Sequence, residues 1–372
     1  MTVLFSAVAF LVLLSVLILI HEWGHYYAAR RAGVKVEEFG LGMPPRVKTL
    51  FKRKGTVFSL NWIPFGGFVR LKGENALDEK EHKAKGSFGA ASVPAKIGIL
   101  CSGVFMNFLL ALVLLTVGFS FGKWIPISVY ASLERMEAAA EKGIINLEMG
   151  VKIDEVVSGS GAAKVGVPPG SFIVAIDDNP VTTLDDVVGL QEGQWRVTYT
   201  ILTGENFDQE EDYKIILEDG KAGVSLVAYP RKLSGKNHPI PRAALLAIEE
   251  SWMMMEQTAY GIGQLFMSLA KTGTVPEGIA GIVGIAQYTH TSVQEGFGAY
   301  FRLVALLSLS LAVLNILPFP ALDGGRLLFV LAEAVSRRPM NRKFEIVTNS
   351  IGFIFLILLL LLITYHDIIR LF

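Results

Sequence analysis

Two histidines and a glutamate sit within one helical turn at the end of a long apolar segment. They belong to the stretch His21-Glu22-Trp23-Gly24-His25, which directly follows the apolar run from Val3 to Ile20. On a helix this spacing puts both imidazoles on one face, where they can hold a zinc ion, with Glu22 beside them as a general base. Ionisable groups inside a membrane span are costly and usually functional. These residues therefore predict zinc-dependent hydrolysis within or beside a lipid bilayer.

A catalytic zinc needs a third protein ligand and keeps one coordination position open for water. The other histidines lie in or near polar segments, and none is in the middle of a membrane span: His82, His238, His290 and His366. Asp323 follows the third long apolar segment in a string that runs from Asn315 to Gly325. We therefore expect Asp323 to be the third ligand, although as an isolated residue it could equally cap a helix beside Gly324.

The string before Asp323 contains two prolines that should break the helix. Pro318 and Pro320 flank Phe319, and the backbone groups that they free must be satisfied by protein or by cavity water. Such a broken helix could hold open a wet pocket. Asn315 has two donors and an acceptor, so it could bind a substrate backbone or instead bond a neighbouring helix.

The chain has 372 residues, of which 52% are hydrophobic. Four segments are apolar enough to cross about 30 Å of hydrocarbon, roughly residues 3–27, 97–121, 302–320 and 346–365. A fifth segment, 244–270, carries three glutamates and predicts an amphipathic helix on the surface of the membrane or of the protein. The single cysteine, Cys101, excludes a disulfide framework within the chain.

Charge distribution predicts the orientation of these spans. Residues 30–96 hold fourteen Lys/Arg and six Asp/Glu, so this loop should be cytoplasmic, and five basic residues between 326 and 343 mark a second cytoplasmic loop. Counting spans then puts His25 and Asp323 near the same, cytoplasmic side of the membrane, with residues 123–300 outside. This basic charge is ordinary for membrane proteins, and we expect no nucleic-acid partner.

The fold class that follows is an α-helical polytopic membrane protein with about four transmembrane helices. It should carry a membrane-associated cytosolic β-loop within residues 30–96 and one external β-rich domain. This domain is called PDZ-like because residues 162–166, 169–174 and 177–181 resemble the core signature of bacterial PDZ domains. The predicted regions are transmembrane helices 1 and 2 (1–122), the PDZ-like domain (128–230), a linker with amphipathic membrane-surface helices (231–300), and transmembrane helices 3 and 4 with the LDGG motif (301–372). Residues 147–150 are the candidate carboxylate-binding loop of the PDZ-like domain.

These motifs resemble the site-2 protease family of intramembrane zinc metalloproteases, in particular its bacterial RseP type. The HExxH sequence, a GxxxNF pattern from Gly103 to Phe108, the PDZ-like domain and the NxxPxPxLDG string occur in that family's order, and residues 64–70 resemble its substrate-contacting β-loop. The resemblance implies zinc-dependent cleavage of single-pass membrane proteins, such as pre-trimmed anti-sigma factors and remnant signal peptides. It implies substrate contacts by Asn315, Pro318, Pro320, Gly66, Gly67 and Phe68.

Two other functions remain open from the residues alone. One is a catalytically silent membrane scaffold whose PDZ domain binds exported C-termini. The other is a membrane-anchored zinc peptidase that cuts soluble peptides. The first would not need zinc, and the second would not prefer a destabilised membrane span over a soluble peptide.

Overall fold

The computed structural model describes residues 2–74, 76, 78–204, 207–337 and 340–371, without the side chains of Thr2, Pro64 and Phe65. It divides into two compact units. Residues 1–122 and 239–372 form the first, called here the helical unit, and residues 123–238 form the second, called here the β unit. Both candidate zinc-binding segments, around His21 and Asp323, belong to the helical unit.

The elements follow one another in this order. The helical unit begins with α1 (Thr2–Arg31), β1 (Val36–Arg53), β2 (Thr56–Leu71), α2 (Glu79–His82) and α3 (Val93–Phe121). The β unit contains a 3-10 turn (Ile127–Ala131), α4 (Leu133–Glu141), β3 (Ile145–Val156), α5 (Gly161–Lys164), β4 (Phe172–Ile176), β5 (Asn179–Pro180), α6 (Leu184–Gln191), β6 (Arg196–Thr203), β7 (Gln209–Ile216) and β8 (Val224–Gly235). The helical unit resumes with α7 (Ile240–Lys271), α8 (Ile282–Glu295), α9 (Phe297–Ile316), α10 (Asp323–Ser336) and α11 (Arg342–Ile369).

Among the described residues, four helices are long and apolar enough to cross a membrane: α1, α3, α9 and α11. They correspond to the four predicted spans. The third ends at Ile316, four residues earlier than expected. Leu317 already has extended backbone angles because the ring of Pro318 disfavours helical geometry in the residue before it.

Helix α7 is longer than the predicted amphipathic segment and packs against α3 and α9. Glu250, on its inner face, is buried and pairs with Arg302 of α9 at 2.6 Å. A buried carboxylate needs such a partner because transfer of an unpaired charge out of water is very costly. The inner face of α7 therefore packs on the protein. The sequence leaves open whether this amphipathic helix lies on the membrane or on the protein.

Strands β1 and β2 form a two-stranded sheet that folds back on itself. Residues 36–41 pair antiparallel with residues 67–71, and Glu38 to Leu41 also pair with Val57 to Leu60. A tip of residues 46–53 and 56–61 completes the ladder. The short segment 67–71 is thus an outer strand paired with β1, and its residue Gly67 lies beside Leu19 and Glu22 of α1.

The β unit has its own apolar core, built around Val151, Ile173, Tyr199 and Ile215. Its main sheet has the strand order β7-β6-β4-β3-β8, with β5 paired to β4. Residues 147–150 lie inside β3 and pair with β8, from Leu147 opposite Leu233 to Gly150 opposite Tyr229, so the prediction of a carboxylate-binding loop there is wrong. The same ladder carries β8 to Gly235, into the stretch predicted as a linker.

Helices α1 and α3 approach closely where the zinc motif lies. A Cβ atom on Gly24 would come within 2.3 Å of the backbone oxygen of Ser102, so only glycine permits this contact. Small residues serve this purpose in membrane helices because association there depends on close packing. Gly98, on the same α3 helix, has open space at its Cβ position.

We predict that Gly24→Ala separates α1 from α3 and destabilises the protein by about 1–3 kcal/mol, the usual cost of overpacking. Gly98→Ala is the matched control and should leave stability unchanged or slightly raised, because alanine favours helix. Thermal unfolding of the detergent-solubilised protein measures both. Equal melting temperatures for the two variants would contradict the close-contact account.

Candidate metal centre

Three side chains from two distant parts of the chain converge in the helical unit. His21 and His25 come from successive turns of α1, and Asp323 is the first residue of α10. Oδ2 of Asp323 lies 3.0 Å from Nε2 of His21 and 3.2 Å from Nε2 of His25, and the two Nε2 atoms are 3.1 Å apart. Both imidazoles are buried, with 6% and 8% of their surfaces exposed.

This arrangement fits a zinc ion. Tetrahedral ligands at ordinary zinc–nitrogen and zinc–oxygen distances lie about 3.3 Å from one another. The three observed separations, 3.0 to 3.2 Å, are close to that value. Two imidazoles and one carboxylate are also a donor set of catalytic zinc sites, which leaves a fourth position for water.

The second nitrogen of each imidazole has a partner that orients the ring. Nδ1 of His25 donates to the backbone oxygen of Ile99 at 2.8 Å, which leaves Nε2 free to bind a metal. The side-chain amide of Asn107 lies 3.3 Å from Nδ1 of His21, and its Oδ1 has no partner among the described residues. If the amide turns its oxygen toward His21, Nδ1 can donate to it, which leaves Nε2 of His21 free to bind a metal.

Helix α3 leaves room for the imidazoles at one position. A Cβ atom on Gly103 would lie 2.6 Å from Nε2 of His25 and 2.7 Å from Nε2 of His21. Any side chain there would push into the space of the ligand atoms. The GxxxNF pattern therefore contributes to the site in two ways. Gly103 leaves space for the imidazoles, and Asn107 lies within hydrogen-bond distance of His21.

Asp323 reaches the site because the chain folds back sharply before α10. Gly324 and Gly325 lie against the backbone oxygens of Ile316, Leu317 and Phe319, at positions where a Cβ atom would come within 2.2 Å. Burial tends to raise the pKa of Asp323, but hydrogen bonds from His21 and His25 outweigh it and hold the pKa below its usual range. The lowered pKa favours the ionised carboxylate, which is the form that binds a metal.

Glu22 lies between the histidines and the outer strand of the β1–β2 sheet. The backbone N–H of Val69 is hydrogen-bonded to the Glu22 carboxylate, and the Cβ position of Gly67 is 3.8 Å from Cγ of Glu22. The glutamate lines a cavity of about 320 Å³ together with the three candidate ligands, Phe68, Val69 and Asn315. The volume is at the lower end of the range for small-molecule sites.

The predicted substrate-contacting residues divide into two groups. Phe68 and Asn315 line the cavity, and Gly67 lies beside Glu22. Gly66 packs against Met43, with a positive φ of 91°. Within the described part of the chain, Pro318 and Pro320 are not among the cavity-lining residues: Pro318 is exposed and Pro320 packs against Gly352.

Sequence reasoning missed an ion pair that borders the cavity. Glu74, just after β2, pairs with Arg326, which follows Asp323 by three residues on α10. The backbone oxygen of Glu74 also accepts a 2.7 Å hydrogen bond from Arg342 of α11. These contacts tie the end of the sheet to the helix that carries Asp323. The only feature of the sequence that could have indicated Arg326 was its position one helical turn after Asp323.

Two buried histidines and a partly buried aspartate lie beside a glutamate, and the histidines and the glutamate belong to a helix able to span a membrane. Together they define a metal-dependent hydrolase of the membrane. The family model of peptidase family M50 matches residues 9–359, and the chain belongs to this family. It is similar to "Putative zinc metalloprotease CPE1693" of Clostridium perfringens, with 31% identity over 99% of both chains. It is also similar to "Regulator of sigma-E protease RseP" of Salmonella typhimurium, with 24% identity over the full length of both. The protein is thus a zinc metalloprotease.

We predict that Asn107→Leu weakens zinc binding by about 10–100-fold, the usual effect of removing a group that orients a metal-binding histidine. Asn107→Asp keeps an acceptor oxygen for Nδ1 of His21 and should stay within a few-fold of the native affinity. Competition with a chromophoric chelator measures both variants. If Asn107→Leu binds zinc as tightly as the native protein, the hydrogen bond does not orient His21.

Proposed function

We propose that this protein is an intramembrane endopeptidase that cuts single-pass transmembrane segments. In this proposal His21, His25 and Asp323 bind the zinc ion, and Glu22 is the general base. The observation that carries it is the joint position of Glu22, beside the candidate ligands on a spanning helix and beside the outer strand of a sheet. A soluble-type peptidase would have no need to hold these groups on such a helix.

Glu22 performs the proton transfers of the proposed reaction. A zinc ion in the site would act as a Lewis acid toward the scissile carbonyl and would acidify a water molecule. The Glu22 carboxylate takes a proton from a water molecule that attacks the peptide carbon, and then delivers the proton to the departing amine. The hydrogen bond from Val69 fixes the carboxylate between the ligands and the sheet.

A transmembrane substrate must unwind before it can be cut, because the peptide bonds of a helix are occupied by internal hydrogen bonds. The outer strand 67–71 can supply replacement partners by strand addition. Gly67 has no side chain at its closest approach to Glu22, so an extended substrate can come near the carboxylate. Asn315, in the cavity wall, offers a further donor and acceptor to the substrate backbone.

The substrates that we propose are pre-trimmed proteins of the anti-sigma-factor type and remnant signal peptides, cut in regulated intramembrane proteolysis. The name of the Salmonella relative, a regulator of sigma-E protease, supports this choice. The basic residues of the loops 30–96 and 326–343 support a zinc site near the cytoplasmic face of the inner membrane. By the same count the β unit is external.

We assign the β unit to the PDZ type, with a peptide site different from the one that sequence indicated. Strand β8 is an outer strand of the main sheet and contacts α6. It follows a turn at Glu218 to Lys221, and Gly223 before it has a positive φ of 79°. A peptide could add to the outer edge of β8 near its N-terminal end, with its carboxylate near this turn.

We predict that Glu22→Gln lowers cleavage by about 10²–10⁴-fold, the usual contribution of a general base. Zinc content should stay at the native level, because Glu22 is not a ligand. The assay uses liposomes with a single-span model substrate that carries a short external stub, and the product is identified by mass spectrometry. A zinc chelator should abolish cleavage by the native protein.

The same assay separates the proposal from its alternatives. Cleavage inside the span, with little cutting of a soluble peptide of the same sequence, supports an intramembrane endopeptidase. Faster cutting of the soluble peptide would favour a membrane-anchored peptidase for soluble substrates. Undiminished cleavage by Glu22→Gln would remove Glu22 from the mechanism. A catalytically silent scaffold already conflicts with membership of the peptidase family.

A further inference from the structure

The candidate ligand Asp323 follows a loop whose conformation is unfavourable by itself. Ala321, two residues before it, has a φ of 78°, in the left-handed region. Residues with a Cβ atom seldom adopt this region because the side chain crowds the following carbonyl. The loop therefore needs contacts from outside to hold the backbone that delivers Asp323 to the two histidines.

Three residues of helix α11, each one turn after the last, make these contacts. Oδ1 of Asn349 accepts a hydrogen bond from the backbone N–H of Ala321 at 3.1 Å. One turn later, Gly352 lies so close to Pro320 that a Cβ atom would come within 2.5 Å of its backbone oxygen. A further turn along, the ring of Phe355 lies 5.5 Å from the ring of Phe319. Three successive loop residues thus meet positions 355, 352 and 349, spaced by three along one face of α11.

We propose that Asn349 is a positioning residue for the zinc site, acting through Ala321 on the carboxylate of Asp323. The inference rests on the proposed role of Asp323 as a zinc ligand. The hydrogen bond is made to the residue with the unfavourable φ, so its loss lets the loop relax toward ordinary backbone angles and moves Asp323 from the histidines. A group that orients a ligand in this way contributes to metal affinity itself.

A direct contact of Asn349 with substrate is the competing role. Asn349 and its neighbour Ser350 both line a second cavity of about 490 Å³, which shares Glu74, Ala321 and Arg326 with the cavity around Glu22. The Oγ atom of Ser350 donates to the backbone oxygen of Ile346 on its own helix. Ser350 therefore shares the cavity with Asn349 while its hydroxyl group is bonded to its own helix, which makes it a matched control.

The test measures zinc affinity of the full-length protein in detergent, by competition with a chromophoric chelator and without any substrate. Asn349→Leu removes the acceptor and should weaken zinc binding by about 10–100-fold. Asn349→Asp keeps an acceptor oxygen and should restore the affinity to within a few-fold of native. Ser350→Ala should bind zinc as the native protein does. Asp323→Ala, the reference variant, should show a loss at least as large as that of Asn349→Leu.

Gly352→Ala gives an independent test should Asn349→Leu fail to fold, because its added methyl group displaces Pro320 and should also weaken zinc binding. If Asp323→Ala loses affinity while Asn349→Leu binds zinc as the native protein does, the positioning role is overturned and the zinc assignment stands. Reduced cleavage by Asn349→Leu at native zinc affinity would likewise overturn it, in favour of substrate contact. Native affinity in Asp323→Ala would overturn both proposals together.

Discussion

The meeting of Asp323 with the two histidines of α1 is the contact on which the rest of the structure depends. The carboxylate and His21 are 302 positions apart in the chain and 3.0 Å apart in space. An ionised carboxylate is costly to bury unless partners compensate it, and here two imidazoles do so. The helical unit has to bring the first residue of α10 against the turns of α1 that carry His21 and His25, and the surrounding contacts hold it there.

Glycines let the helices and the loop pack closely enough to bring Asp323 and the histidines together. Gly24 and Gly103 let α1 and α3 pack until the imidazoles lie against the backbone of α3, while Gly324 and Gly325 let the loop fold onto the end of α9. Where the backbone must leave a helix, polar groups find protein partners, as Ala321 does with Asn349. These backbone groups need partners within the protein because lipid offers no hydrogen bonds to an exposed backbone group.

Local patterns predicted much of this arrangement. The spacing of His21, Glu22 and His25 fixes their common face on any helix, and runs of apolar residues marked the four candidate spans. Asp323 was inferred from its place after the third apolar segment, with the count of charged loops as an independent check of its depth, and it lies beside both histidines. The roles of Asn107 and Asn349 could not be predicted, because each depends on which face of one helix meets a particular atom of another element.

Zinc K-edge X-ray absorption of the purified full-length protein tests the central claim most directly. Three ligands of the observed kind predict one zinc per chain, with only nitrogen and oxygen neighbours at about 2.0–2.2 Å and the scattering signature of two imidazoles. Asp323→Ala should change this shell while the two imidazole signals remain. A sulfur neighbour at about 2.3 Å, which only Cys101 or a methionine could supply, or a shell unchanged in Asp323→Ala, would contradict the account.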